Sequence, residues 1–388
     1  MTPSRVLIIT NIITPYRIPL FNLISQDGRF ELLVATLAYA ESNRAWKIDT
    51  QNLSFFHTVL PGLHGFIKKA DFPFHLNAPV SRLIRQYDPK VVILSGYDNI
   101  SYWEAMLYCR LMRKRVILWN GTTMLSANVR RGPVALGKRW FVKSANRYVA
   151  YGTKAAEYLV SLGANPSLIH TSINTVDMDW FRQQTNTSIQ SKVTLYERSK
   201  YSRLLLLYVG RLTAGKGIWN LIKAIEQLRG MSISLLVVGD GPMKEDIVTY
   251  CHVNGLQNIS FEGYVQSEGL PKYYAMADAL VVPSIREVWG LVVNEALASG
   301  LYVLCSNKAA AGYDLIKQGW SGRLFNPLEE QNIISVVGEL EANLEDIRAR
   351  RQSISQNACD TFGIARSAQS FIDAIHAGNS YARSRRVE

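Results

Sequence analysis

"RLLLLYVG" (203–210) running into "RLTAGKGIWNLIKAI" (211–225) reads as a strand, a glycine-bounded turn and a helix. Residues 204–209 are apolar without a break, so the strand they form has no polar face and must be covered on both sides. The same pattern recurs along the chain. In the first half the strand candidates are "RVLIIT", "FELLVATL", "VVILSG", "RVILWNG" and "NRYVAYG". In the second they are "SISLLVVG", "ISFEGY", "ALVVPS", "LYVLCS" and "GRLF". Short apolar runs separated by helix-length segments predict an α/β protein with parallel sheets. In such sheets ligands bind beyond the carboxyl ends of the strands, so the segment after each strand is where chemistry is expected.

A chain of 388 residues, 48% apolar and 19% charged, has room for two such domains. The polar, weakly periodic stretch "RQQTNTSIQSKVTLYERSKY" (182–201) is the expected linker. It divides an N-terminal domain, 1–181, from a second domain, 202–362. A helix around "GIARSAQSFIDAIHAG" is expected within 363–388, ahead of a fraying polar tail. No apolar run approaches the ~18 residues of a membrane span, and "MTPSRVLIITNIITP" reads as a first strand rather than a secretory signal. Cys109, Cys251, Cys305 and Cys359 are far apart and lack CxxC spacing, which suits buried free thiols in a reducing cytoplasm. None of the six histidines falls in a motif, and each reads as structural or surface.

The net charge of +12 is unevenly placed. Residues 1–180 hold 21 Lys and Arg against 11 Asp and Glu, whereas the remainder is nearly balanced. Much of the excess lies in "RLMRKR" (110–115) and "RRGPVALGKRWFVKSANR" (130–147). In the latter, Leu136, Trp140, Phe141 and Ser144 fall near one helical face, flanked by Lys138, Arg139 and Lys143. A basic amphipathic helix can lie on an anionic membrane surface, although a solvated basic helix has the same composition. No nucleic-acid motif accompanies the charge.

Four of the segments after the strands carry candidate chemistry. Gly210 and Gly217 allow close backbone approach, and Arg211 and Lys216 put two cations at a helix start, an arrangement suited to a diphosphate. "GDGP", with Gly239 and Asp240, is a strand-to-helix turn, and turn chemistry alone can explain its glycines. "ISFEGYV" closes a strand at Gly263, where a planar base could face the backbone; Tyr264 reads as packing, with stacking as the alternative. In "REVWGLVVNEALASG" (286–300), Glu287 sits in a loop and Glu295 two helical turns on, in surroundings where an unpartnered carboxylate is costly. The plain structural reading has Glu287 capping the helix and Glu295 exposed. The functional one sends both carboxylates to one ligand, one to a ribose diol and one to the sugar being moved. Gly290 marks the loop-to-helix transition, where free N–H groups can meet an anion or hydroxyls.

These motifs, "GRL…GKG", "GDGP", "FEGYV", the glutamate stretch and "GWSGRLFNP", occur in the order and spacing of retaining family-4 glycosyltransferases of the GT-B fold, of the bacterial polysaccharide and glycolipid type. "INTVDMDWF" (173–181) resembles the segment that leads into that family's second domain. The resemblance spans most of residues 140–330. It implies two Rossmann-like domains with parallel sheets facing a central cleft, and a nucleotide sugar, with UDP-hexose the expected donor, as co-substrate without a cofactor or metal. Arg211 and Lys216 would stabilise the leaving diphosphate, and Glu295 would hold the ribose hydroxyls. Glu287, with backbone from Trp289, Gly290, Leu291 and Val292, would hold the sugar. Front-face attack is the implied mechanism, with Glu287 as covalent nucleophile the alternative. Trp289, Lys308, Ala310 and Tyr313 are expected near the sugar. The acceptor would be a glycan, plausibly one on a lipid diphosphate carrier at the inner membrane face.

The first domain departs from the family. After strand one, where many members have a Gly-Gly loop, stands "NIITPYRIPLF" (11–21), making Tyr16 and Arg17 candidate acceptor or phosphate contacts. Where many members place a His, this chain has Asn120, which cannot shuttle a proton. Asp98, with Asn99, is a candidate by position only. Two rivals accompany the transferase reading: a GT-B sugar-nucleotide epimerase, and a non-enzymatic basic protein binding glycan or nucleic acid.

Overall fold

The computed structural model describes residues 3–40, 53–67, 72–127 and 132–377. The described residues form two compact units, one running to Asn174 and resuming at Ile364, the other Thr175–Gly363. The polar tail expected after the last helix lies outside the described residues.

Unit 1 is built on a seven-stranded parallel sheet. Its strands are β1 (Ser4–Thr10), β2 (Phe30–Thr36), β3 (Phe56–Val59), β6 (Val91–Leu94), β7 (Arg115–Asn120), β8 (Arg147–Tyr151) and β9 (Ile169–Ser172). They are ordered β3-β2-β1-β6-β7-β8-β9. An antiparallel hairpin of β4 (Gly62–Ile67) and β5 (Phe72–Asn77) stands apart from that sheet. Val6–Ile9 and Val92–Leu94 are fully buried, as a sheet sandwiched between helices requires. The helix Ile364–His376 returns to this unit, burying Phe371, Ile372 and Ile375; the Phe371 ring lies 5.0 Å from that of Trp119. Arg115 donates to the carbonyl of Ile375 and Arg147 to that of Ala377 at 2.8 Å, placing two cations on the negative end of this helix.

Unit 2 repeats the plan with six parallel strands: β10 (Leu204–Val209), β11 (Ile233–Val238), β12 (Ile259–Gly263), β13 (Ala279–Val282), β14 (Tyr302–Ser306) and β15 (Gly322–Phe325). Their order is β12-β11-β10-β13-β14-β15. Leu204, Leu206, Leu235, Val237 and Leu304 form its core with the helix Ile218–Gln227. All four cysteines are buried free thiols.

The stretch 182–201 is corrected from an aperiodic linker to helix, within Met178–Ile189 and Lys192–Ser199. Asp177 caps the first of these by accepting from Trp180 N–H at 3.0 Å. Few apolar residues are needed, because contact with the rest of the unit runs through Phe181 and through Thr185, whose hydroxyl pairs with that of Ser299 at 2.9 Å. β3 and β9 were not legible as strands, being short and partly polar, and the hairpin strands carry Gly, Pro and His among their apolar residues.

The strand orders locate the candidate site edges. In unit 1 the chain leaves β1 towards β2 on one side and meets β6 on the other; in unit 2, β10 is flanked likewise by β11 and β13. At such divergence points the loops beyond the strands part and leave a crevice.

Candidate functional site

In unit 2 the loops after β10 and β13 meet at that point. Gly217 has φ +69°, and a Cβ there would lie 1.9 Å from the carbonyl oxygen of Pro283. The N–H groups of Ile285 and Arg286 both donate to the Gly215 carbonyl, at 3.0 and 2.9 Å. Glycine at 217 is therefore what lets the two loops touch. Across the junction, Lys216 Nζ donates to Glu287 Oε2, which also receives the Ser284 hydroxyl at 3.4 Å. Arg211 is exposed in the same loop, its carbonyl accepting from the Tyr208 hydroxyl at 2.9 Å. Burial, with Glu287 nearby, pushes that tyrosine's pKa up.

Gly290 begins the helix Leu291–Ala298, and a Cβ there would lie 3.5 Å from Glu287 Cγ, so the Glu287 stem runs beneath the helix start. The first N–H groups of the helix, at Leu291 and Val292, lie beyond the reach of its own carbonyls. Glu295 is only 9% exposed, and the Tyr274 hydroxyl donates to its Oε2 at 2.6 Å. Burial raises its pKa to about 7, with the tyrosine hydrogen bond working the other way. Tyr274 was not anticipated; the available signal was a tyrosine among apolar residues in "LPKYYAM", whose hydroxyl needs a partner once buried. Trp289 is an anchor: its indole N–H donates to Asn294 Oδ1 at 3.0 Å, and its carbonyl accepts from Ala311 N–H at 3.1 Å. Ala310 is buried, Lys308 N–H is taken by the Ser306 hydroxyl, and the Tyr313 hydroxyl donates to the Asn307 carbonyl.

The remaining glycines join neighbouring loops. A Cβ on Gly239 would sit 1.9 Å from the Gly210 carbonyl oxygen. Gly210 N–H donates to Val238, Leu212 N–H to Asp240 and Gly239 N–H to Gly263, at 3.0, 2.9 and 2.7 Å. Close approach was expected here from a ligand, and neighbouring backbone supplies it. Asp240 is exposed and serves its own turn, accepting from Gly241 N–H and from Lys244, which lowers its pKa. Tyr264 is 50% exposed, with its hydroxyl on Gln266, so the packing reading is corrected: its ring faces outward.

In unit 1, Arg17 follows β1 and donates to the hydroxyls of Thr10 and Tyr151; Tyr16 precedes it, its ring 5.7 Å from the guanidinium. Asp98 is exposed in the loop after β6, beside a cavity of about 490 Å³ that Tyr97, Trp103 and Lys138 also line. Asn120 is buried, and its amide donates to the Thr122 carbonyl at 2.9 Å, holding its own loop. The basic helix is Pro133–Ser144, and its expected single face is divided. Phe141 and Ser144 point inward, whereas Leu136 and Trp140 are 65% and 42% exposed.

Residues 197–360 match the family described as glycosyl transferases group 1. Over that stretch the chain is similar to group 1 glycosyl transferases. Matches to curated proteins cover part of the chain. It is 33% identical over 145 residues to an uncharacterised glycosyltransferase of Methanocaldococcus jannaschii, covering 36% of each chain. With the sulfoquinovosyl transferase of Arabidopsis thaliana identity is 34% over 157 residues, 40% of this chain and 29% of that one. These matches span about a third of the relatives' lengths. The fold likeness extends further: the Anabaena HepE structure in complex with UDP aligns over 96% of this chain and all of that one, with TM-score 0.75 and 15% identity. The architecture is GT-B. Among the described residues no helix is long and apolar enough to cross a membrane, and no cluster of three metal-ligating side chains occurs.

Proposed function

We propose that the protein is a retaining glycosyltransferase that moves a hexose from a nucleotide sugar, UDP-hexose in this reading, to a glycan acceptor. The observation that carries it is the Lys216–Glu287 ion pair across two loops at the β10/β13 divergence point, beside the start of the helix that bears Glu295. Departure of a sugar from a diphosphate builds negative charge on phosphate oxygen, and cations already in place there stabilise it without reorganisation. In this reading Lys216 and Arg211 meet the diphosphate, Glu295 takes the ribose hydroxyls, and Glu287 with the N–H groups at Gly290, Leu291 and Val292 takes the sugar. Gly210, Gly239, Asp240 and Gly263 shape the loops around the nucleotide, and outward-facing Tyr264 offers a ring for its base. A bound diphosphate would compete with Glu287 for Lys216, coupling donor arrival to release of the Glu287 carboxylate. UDP in the Anabaena structure supports uridine as the nucleotide.

Unit 1 is the acceptor side of the proposal, with Tyr16, Arg17, Asp98 and Asn120 as its contact region. The basic excess of residues 1–180 and the exposed Leu136 and Trp140 support an acceptor on a lipid diphosphate carrier at an anionic membrane surface, with the protein peripheral on its cytoplasmic face. No cofactor or metal ion enters the proposed chemistry.

Calorimetric titration of UDP, with chelator present, tests the donor site. The wild type should bind, and Lys216→Ala and Glu295→Ala should each bind more weakly by about 1–3 kcal/mol, the usual cost of losing a hydrogen bond to a charged group. Binding of GDP or ADP in place of UDP would change the nucleotide; binding of none would overturn the reading.

A further inference from the structure

Arg17 is a half-buried cation to which the described residues offer no carboxylate. Its guanidinium lies 4.4 Å from the centroid of the Trp119 ring. Nη1 donates to Thr10 Oγ1 at 3.1 Å and Nη2 to the Tyr151 hydroxyl at 2.6 Å. A guanidinium has five N–H donors, so these bonds leave three. Nε is one of the three: it is buried and has no partner among the described residues. Two neighbours share that condition, Thr14 Oγ1 at the start of the turn that ends in Arg17 and Nε1 of Trp119 itself. Buried polar atoms are nearly always bonded, and three unbonded ones around one cation mark a place where a ligand atom completes the set.

The position agrees with that reading. Arg17 lies beyond the carboxyl end of β1, where β1 and β6 diverge, and it reaches to the end of β8 through Tyr151. Contact with the Trp119 ring and bonds to the two hydroxyls together restrain the guanidinium. A rigid fork with free N–H edges is matched by two oxygens of one oxyanion.

We propose that Arg17 anchors an oxyanion of the acceptor, a phosphate or a sugar carboxylate, in the crevice of unit 1. The acceptor assignment rests on the transferase reading above; the anion site does not. The Trp119 indole N–H resonance, assigned with Trp119→Phe, reports on the site. Sodium phosphate and sodium acetate are titrated against sodium chloride at matched ionic strength into the full-length wild type, Arg17→Lys and Arg17→Gln. The expected result is a saturable shift with phosphate or acetate, the stronger of the two naming the group. Arg17→Gln should need at least tenfold more anion, with Arg17→Lys between. If Arg17→Gln does not fold, Arg17→Lys and Tyr151→Phe, which frees the guanidinium to rotate, serve in its place. A shift that chloride reproduces, or one equal in all variants, overturns the proposal. UDP calorimetry on the same samples separates the two readings. A phosphate response without UDP binding removes the acceptor assignment and keeps the anion site; UDP binding without an anion response removes the site alone.

Discussion

Glu295 holds its carboxylate against a tyrosine hydroxyl with almost no water, and the consequence is a pH dependence of known sign. Its pKa is raised from 4.5 to about 7, with burial as the main cause. Between those values the folded chain binds a proton that the unfolded chain has released, so stability falls as pH rises through the window. Above about pH 7 the loss is complete, on the order of 3 kcal/mol for a shift of this size. Glu295→Gln keeps the shape and removes the charge. Urea unfolding should find it more stable than wild type at pH 8 and nearly equal at pH 4.5. Equal stability at both values would show that the carboxylate is not desolvated. In the proposed donor site, ionised Glu295 is the better acceptor for two ribose hydroxyls, so UDP should bind more tightly at pH 8 than at pH 6, and Glu295→Gln should flatten that difference. Glu287 and Glu295 stood out in the sequence because charged types in apolar runs are conspicuous, and Lys216 and Arg211 because two cations fall at a helix start between glycines. Tyr274 was hidden because tyrosine is at home in a core; only its hydroxyl gives it a second role.

The site also depends on two loops lying one against the other, a property of elements. Gly217→Ala would place a methyl against the Pro283 carbonyl and force a non-glycine residue to φ +69°. A left-handed conformation and an overpacked contact together should cost about 2–4 kcal/mol. Thermal unfolding should show that loss. UDP affinity should fall further, because Lys216 and the Glu287 loop would be pushed apart. Gly230→Ala is the internal control, since nothing lies within 4 Å of its added methyl. Similar effects from the two substitutions would refute the contact. The elements also show why some of the fold was legible and some was not. Leu204–Val209 and Val6–Ile9 announce themselves because a parallel strand buried on both faces must be apolar throughout. The helix Met178–Ile189 does not, because it is held by an Asp177 cap and a Thr185–Ser299 hydroxyl pair that carry no apolar period. The glycines of "GDGP" were legible as a turn, but the loop they pack against was not, since loop-on-loop contact and ligand contact demand the same missing side chain.

Across the whole molecule, charge and exposed apolar area coincide in unit 1. The helices Ile100–Leu111 and Pro133–Ser144 meet through Trp103, whose ring stacks on Trp140 at 5.9 Å and packs on Phe141 at 4.9 Å. Outward from them stand Leu107 and Leu111 on one helix and Val134 and Leu136 on the other. Arg110 and Arg113 lie in the first segment, where Lys114 is paired with Asp88, and Lys138, Arg139 and Lys143 in the second. In water alone, this exposed area gains nothing. At a membrane each apolar side chain that enters the interface contributes about 1–2 kcal/mol, and each cation near an anionic surface about 1 kcal/mol. The full-length protein should therefore float with phosphatidylglycerol-rich vesicles, bind neutral vesicles poorly, and be released as salt screens the charges. Leu136→Ser combined with Trp140→Ser should weaken vesicle binding at least tenfold while leaving UDP affinity unchanged, since the proposed donor site lies in unit 2. Loss of both would indicate unfolding of the double variant, in which case Lys138→Gln with Lys143→Gln tests the electrostatic half alone. Vesicle binding that survives all four substitutions, or that ignores lipid charge, would leave the basic helix as a solvated surface and remove the membrane from the proposed function.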